Sequence, residues 1–545
     1  MNPLWYVDAV FYEVPVYAFF DTNGDGVGDF AGLTEKLDYL EWLGITCIWL
    51  LPFYESPLRD GGYDISDFRS ILSRYGTVDD VRAFLEEAHQ RGLRVIADMI
   101  VNHTSDQHPW FQEARLPGSP LRSRYVWSDT PDRFPDARVI FTDTHHSNWT
   151  WDPVAGAYYW HRFFDHQPDL NFDDPAVRDE IEGIIRFWLT LGFDGLRLDA
   201  VPYLYERDDT NGENLPETHA YLKRLRAMVD AEFDDRMLLA EANQWPDNVV
   251  EYFGEGDEFH MAYHFPLMPR LFMALAQGDA GAVIDVLENT PDIPDGCRWG
   301  IFLRNHDELT LEMVTDEERQ YLWDRYAPEP SMRKNIGIRR RLAPLLDGDR
   351  RRIELLHALL LSLPGSPFLY YGDEIGMGDE HLLDDRDGVR TPMQWDSSPT
   401  AGFSTAGPQD LYLPVVSSPG YSPTAVNVAA QRDDPGSLLL WTRKMLDLRS
   451  GLSALGAGAF QMVPASESAV FAFVRSGADA TVLVVANFSD APVVSDLDMD
   501  LTPTATLAAA PGTSLDETTI TLDPHGWGWF QVERRFTVIA ARHGD

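Results

Sequence analysis

The chain is predicted to fold as α/β, a (β/α)8 TIM barrel with an inserted lid domain after strand 3 and a C-terminal antiparallel β-sandwich domain. Three observations predict it. Eight short apolar runs alternate with helical stretches from about residue 9 to residue 375. Carboxylates and histidines recur at the C-terminal ends of those runs, the rim where a barrel carries its active residues. After about Gly451 the pattern changes to short Val, Ala, Thr and Phe runs separated by turn residues.

Strands are expected at "AVFYEV", "CIWLLPF", "VIADMIV", "GLRLDA", "MLLAEA", "FHMAYHF", "WGIFLRN" and "FLYYGDEI". Helices such as "VDDVRAFLEEAHQRG" and "DEIEGIIRFWLTLG" lie between them, each closed by a glycine. Residues 103–172, rich in Pro, Trp, Tyr and Asp, break the alternation, and a loop this long inside a barrel reads as a functional lid. The expected division is barrel 1–102, lid 103–172, barrel 173–450 and sandwich 451–545. Within it a helical, basic insertion ("RKNIGIRRRLAPLLDGDRRR") follows strand seven, at about 308–350.

Composition narrows the function. The 44 Lys and Arg against 87 Asp and Glu give a formal net charge of −43, a surface that repels nucleic acid and anionic membranes. No apolar run reaches the roughly 18 residues of a membrane span, and "MNPLWYVDAVFYEV" lacks the features of a secretory leader. A cytoplasmic homo-oligomer acting on a neutral small molecule is expected. Cys47 and Cys297, far apart and each in an apolar run, predict reduced core thiols.

"DMIVNH", "GLRLDA", "AEAN" and "RNHDE", in this order and on these strands, resemble the region motifs of the α-amylase family, glycoside hydrolase family 13. Cleaving an α-glucosidic bond with retention takes a carboxylate nucleophile and a carboxylic acid roughly 5 to 5.5 Å apart. The resemblance implies Asp199 as nucleophile, Glu241 as acid/base and Asp307 as the carboxylate stabilising the transition state. Like charges in that cluster are expected to keep Glu241 protonated, and Arg197, two residues before Asp199, to keep the nucleophile ionised. The family's use of His103 and His306 implies hydrogen bonds to the sugar that is cleaved. "GGYDISDF" supplies Tyr63 as a stacking platform and Asp64 for sugar hydroxyls, and Arg390 in "DGVRTPMQW" is the partner the family gives that Asp. Gln167 opens "QPDLNF", which places the chain in the oligo-1,6-glucosidase-like branch.

"FDTNGDGVGDF" resembles an EF-hand loop, but Gly32 stands where the bidentate carboxylate is needed and no helix precedes it. It is similar instead to a metal loop of that branch, implying Asp21, Asn23, Asp25, the carbonyl of Val27 and Asp29 as ligands of a structural Ca2+, with Mg2+ the alternative. A second site implied by the resemblance uses Asn102, Asp169, Glu206 and the carbonyls of Tyr203 and Leu204. No organic cofactor is expected.

Residues 335–379 followed by "DRDGVRTPMQW" resemble the maltose–trehalose isomerases of this branch. An isomerase shares its carboxylates with α-glucosidases, oligo-1,6-glucosidases and sucrose-active transglucosidases. It differs in keeping the cleaved glucose in a pocket closed to water, which a long lid and the insertion after strand seven supply. Asn243 and Glu308, beside the acid/base and the stabiliser, are candidates to hold the turning sugar. Non-catalytic transporter partners of the family lack the carboxylate set and carry a membrane anchor, unlike this chain.

Overall fold

Buried strand residues and half-buried helices close into a barrel in the computed structural model, which describes residues 4–534. Its strands are β1 (Phe11–Val14), β2 (Cys47–Leu50), β3 (Arg94–Ile100), β4 (Gly195–Asp199), β5 (Met237–Ala240), β6 (Met261–Tyr263), β7 (Arg298–Phe302) and β8 (Ser366–Tyr370). Each pairs in parallel with the next, and β1 closes on β8 with Phe11 opposite Phe368. Five lie wholly within the predicted runs, and β3, β7 and β8 begin one or two residues ahead of theirs. Every residue of β2, β4, β5, β6 and β8 is buried, the reason these strands read as continuous apolar runs rather than alternating ones.

The helices start and stop where side-chain chemistry dictates. Thr77 and Asp80 form a reciprocal capping box at the start of Val78–Gln90, which buries Val81, Phe84, Leu85 and Ala88 at three- and four-residue spacing. Asp174 caps Pro175–Leu191, and Gly192 ends it with φ +132°.

The segment after β3 contains the helix Pro109–Ala114 and a three-stranded antiparallel sheet of Trp127–Ser128, Ala157–Trp160 and Trp149–Asp152. Phe134, Trp149 and Trp160 form its small core. A bridge between His103 and Asp169 joins the two ends of the insertion beside the barrel rim.

The insertion after β7 is only partly helical. Asp316–Tyr326 is a helix, but Arg333–Lys334 and Gly337–Ile338 form a tight antiparallel hairpin. Asn335 turns it with φ +48°, a conformation that stops a helix. Gly337 is required because a Cβ there would lie 2.6 Å from Cγ of Glu308. Two of the basic residues are spent inward, Lys334 on Asp385 at 3.0 Å and Arg340 on Asp379 at 3.0 Å, whereas Arg350–Arg352 open the helix Arg350–Leu360.

The chain divides into two compact units. One comprises Met1–Pro269, Thr290–Gly348 and Ser366–Arg443, the other Arg270–Asn289, Asp349–Gly365 and Lys444–Asp545. The second holds a five-stranded and a three-stranded antiparallel sheet; Val470, Ala472 and Val474 alternate into a core shared with Leu497, Ile520 and Leu522. Residues 535–545 of the expected sandwich lie outside the described residues. Cys47 is a buried free thiol, whereas Cys297 is only half-buried. Among the described residues no helix is long and apolar enough to cross a membrane.

In the second unit Arg475 is fully buried and donates to the carbonyls of Ser362, Leu363, Gly456 and Gly458. Arg475→Met strands these acceptors, so it is expected to cost about 3 kcal/mol of that unit's stability, read as a lowered urea midpoint. A midpoint unchanged from wild type would show that water replaces the guanidinium there.

Candidate active site

The centre is built on the C-terminal end of β4. Arg197 and Asp199, two residues apart, share one strand face, and the neighbouring strands bring Asp98 and Glu241 to them. Arg197 is 1% exposed, with Nη1 2.7 Å from Asp98 Oδ1 and 2.6 Å from Asp199 Oδ1, and Nη2 2.6 Å from Glu241 Oε1. The backbone N–H of Ala200, held at φ +55°, donates to Glu241 Oε2 at 3.1 Å.

The carboxylates are set apart by their surroundings. Burial lifts Glu241 to about 8, with the charges of Asp199 and Asp307 adding to the rise and Arg197 opposing it. Burial is thus the larger cause, and the like charges expected to dominate are secondary. Burial also raises Asp199, against the pull of Arg197. For Asp307 burial is overruled by His306, Arg386 and Arg390, which hold it well below the usual carboxylate range. Glu241 carries the proton and Asp307 is ionised. Such a division of labour among like groups is what acid–base chemistry near neutral pH requires.

These groups line one cavity. Among the predicted residues, Tyr63, His103, Gln167, Asn243 and Glu308 line it with the three carboxylates. Nε2 of His103, Oδ1 of Asn243 and Oε2 of Glu308 are buried without a hydrogen-bond partner, three polar atoms in search of a ligand. Burial drops His103 to about 3, so it is neutral.

Besides Arg197, three predicted residues sit behind the wall instead. His306 stacks on Tyr63, ring centroids 5.3 Å apart and planes at 8°; one face of Tyr63 is therefore already occupied. Asp64 is fully buried and spends its oxygens on Ser56 and the backbone N–H groups of Arg59 and Asp60. The pair expected between Asp64 and Arg390 does not form, because Arg390 reaches Asp307 Oδ1 at 3.0 Å and the His306 carbonyl at 2.9 Å. The pair in the pocket is Asp60 and Arg386, 2.5 Å apart, with Gln167 Nε2 2.8 Å from Asp60 and Arg386 Nη1 2.9 Å from Asp307. Each lies four residues before its predicted counterpart.

The lid covers the cavity and is latched. Arg138 contacts Glu213 at 2.7 Å, Glu312 at 2.9 Å and Tyr203 Oη at 3.1 Å, and Glu312 in turn accepts from Asn243 at 3.0 Å. The hairpin adds a second latch. The backbone N–H of Asn335 donates to Asp143 of the lid at 2.6 Å, while its side chain donates to Glu308 at 3.0 Å. Sequence reasoning missed Arg138, Glu312 and Asn335, because ion pairs between distant loops leave no local pattern.

The two expected metal sets differ. In the loop, Asp21 accepts from the N–H groups of Asn23, Gly24 and Gly26, Asn23 from that of Asp25, and Asp25 from that of Val27. Asp29 binds Thr22 and caps the following helix through Gly32, and Arg74 pairs with Asp25 at 3.1 Å. That loop orders itself by its own donors. In the other set, Asn102 Oδ1, Asp169 Oδ2 and Glu206 Oε1 are buried with no partner. Burial carries Asp169 up to about 7, and burial with the nearby charge of Asp169 raises Glu206 well above the usual carboxylate range. Orphaned oxygens on two buried carboxyls fit a hard cation. Among the described residues no three His, Cys, Asp or Glu converge as a metal cluster; this set holds only two carboxylates beside an amide.

Comparison with known proteins agrees with this geometry. The family profile described as "Alpha amylase, catalytic domain" matches residues 15–327 and 339–458, and "Maltogenic Amylase, C-terminal domain" matches residues 460–529. The chain is 58% identical to a trehalose synthase/amylase of Mycobacterium tuberculosis, over 97% of this chain and 91% of that one. It is 56% identical to a trehalose synthase of Pimelobacter sp., over 97% and 96%. A solved mutant of the trehalulose synthase MutB superimposes with a TM-score of 0.80 at 30% identity, covering 97% of this chain and 100% of that one.

Proton donation from this centre should fail as pH rises through about 8, where Glu241 loses its proton. Below that value the acid form persists, so the alkaline limb of kcat is expected there, and Glu241→Gln should remove turnover at every pH. An alkaline limb that survives in that variant would locate the acid elsewhere.

Proposed function

The chain belongs to the α-amylase family, and from that premise we propose that it interconverts maltose and trehalose by intramolecular transglucosylation, with minor hydrolysis to glucose. The observation that carries the reading is the latched cavity. It holds a retaining carboxylate set beneath a lid tied down by Arg138 and Asn335, and the identity to trehalose synthases supports the same choice of substrate.

In the first step Glu241 gives its proton to the glycosidic oxygen while Asp199 Oδ attacks the anomeric carbon. The C1–O4 bond of maltose breaks and a glucosyl ester forms on Asp199. Asp307, ionised by its cationic neighbours, stabilises the developing positive charge on the ring. Asp60, Arg386, Gln167 and His103 hold that ring by its hydroxyls. The released glucose stays in the pocket and turns among Asn243, Glu308 and Glu312. Its anomeric hydroxyl then loses a proton to Glu241 and attacks the same carbon, freeing Asp199 and making trehalose. Water excluded by the latches is the competitor that would turn the ester into glucose.

We also propose that Ca2+, or Mg2+, is held by Asn102, Asp169, Glu206 and the carbonyls of Tyr203 and Leu204. There it would neutralise buried carboxylates and tie the end of the lid to β3. The loop at Asp21, Asn23, Asp25, Val27 and Asp29 would take a second cation once Arg74 releases Asp25. The acidic surface supports a cytoplasmic enzyme of neutral sugars.

Given unlabelled maltose with labelled free glucose, the enzyme is expected to form trehalose with very little label. Glucose as the dominant product without trehalose would make it an α-glucosidase. Extensive label in trehalose would exclude the closed route.

Chelation should lower the melting temperature, because a ligand of the native state alone stabilises by mass action, and Glu206→Gln should reproduce most of that shift. An unchanged melting curve after metal loss, confirmed by elemental analysis, would refute the structural cation.

A further inference from the structure

β1 sends one ionisable carboxyl into the barrel, Glu13, which is 1% exposed and not in the cavity wall. Its Oε1 accepts from the backbone N–H of His306 at 3.0 Å and lies 2.5 Å from that residue's Nδ1. On the other side of the ring, Nε2 lies 3.2 Å from Asp307 Oδ2 and 2.6 Å from Tyr63 Oη.

A carboxylate accepts hydrogen bonds and cannot donate them. With a carboxylate at each nitrogen, the ring donates from both and is an imidazolium. The next bond then has a fixed direction. Tyr63 accepts from Nε2–H, so its own hydroxyl is left to donate to Asp98 Oδ2 at 2.8 Å. Asp98 in turn holds Nη1 of Arg197 at 2.7 Å. A neutral ring with bare Nε2 would capture the Tyr63 proton and withdraw it from Asp98.

The other groups around the ring favour this arrangement. Trp49 of β2 meets it edge-on, Arg390 donates to the His306 carbonyl and to Asp307, not to the ring, and Asp98 adds negative charge behind Tyr63. Around Glu13 the further ionisable neighbours are Tyr263, Tyr370 and Asp373. Burial alone would lower the ring, yet Asp307 and Glu13 carry His306 up to about 9.

We propose that Glu13 is a positioning residue for glucosyl transfer: its carboxylate keeps His306 as the imidazolium that orients Tyr63 toward Asp98 and supports ionised Asp307. The proposal rests on the α-glucosyl transfer assigned above, but not on trehalose being the product.

The test is the pH dependence of kcat/KM for α-glucosyl fluoride, whose leaving group needs little protonation, so the limb due to Glu241 drops out of that step. Glu13→Gln keeps the shape and removes the charge. It is expected to lower kcat/KM about tenfold at pH 8 and to move the alkaline limb down by about one pH unit or more. Glu13→Asp keeps the charge and should leave the limb at its wild-type position. A loss that is equal at every pH, or a wild-type profile for Glu13→Gln, would overturn the proposal. Should the Gln variant not fold, 15N spectra of histidine-labelled wild-type enzyme, assigned with His306→Asn, decide it. Both ring nitrogens of His306 protonated at pH 8 is the expected result, and a neutral ring at pH 7.5 would overturn it. Turnover of the fluoride without trehalose from maltose would sink the isomerase reading and leave this one standing.

Discussion

One buried guanidinium organises the centre. Arg197 enters a nearly solvent-free interior, which is affordable only because Asp98, Asp199 and Glu241 meet it from three adjacent strands. The parallel register makes this meeting automatic, since Asp98 stands opposite Arg197 across β3 and β4. The barrel in turn cannot place the guanidinium without all three partners. Fold and chemistry are thus joined at a single side chain, and the precision of the centre comes from strands rather than loops.

Around it, chemically identical carboxyls acquire different duties from their neighbours. Asp307 faces His306, Arg386 and Arg390 and stays charged; Glu241 is buried against other acids and holds its proton. The distinction lies in the second layer of residues, where Glu13, Tyr63 and Asp98 connect one side of the pocket to the other.

How much of this was legible follows from where each determinant resides. All eight barrel strands were readable because burial on both faces writes itself into short apolar runs, and Asp199, Glu241 and Asp307 because each closes such a run. The hairpin at Arg333–Ile338 was not, since a basic stretch between helices looks helical until Asn335 is seen to turn left-handed. Asp60 and Arg386 were mistaken for Asp64 and Arg390, four residues on in the same motifs. Spacing alone could not say which Asp and which Arg face the cavity. Arg138, Glu312 and Asn335 depend on loops that meet only in three dimensions.

The lid latch also bears on exchange with solvent. Arg138 lies across Glu213, Glu312 and Tyr203, and the last two line the cavity that the lid covers. Whatever enters or leaves past that clasp has to part these contacts. The contacts that cover the site are thus also a step in exchange with solvent, and the rate at which they part bounds how fast the cavity can empty.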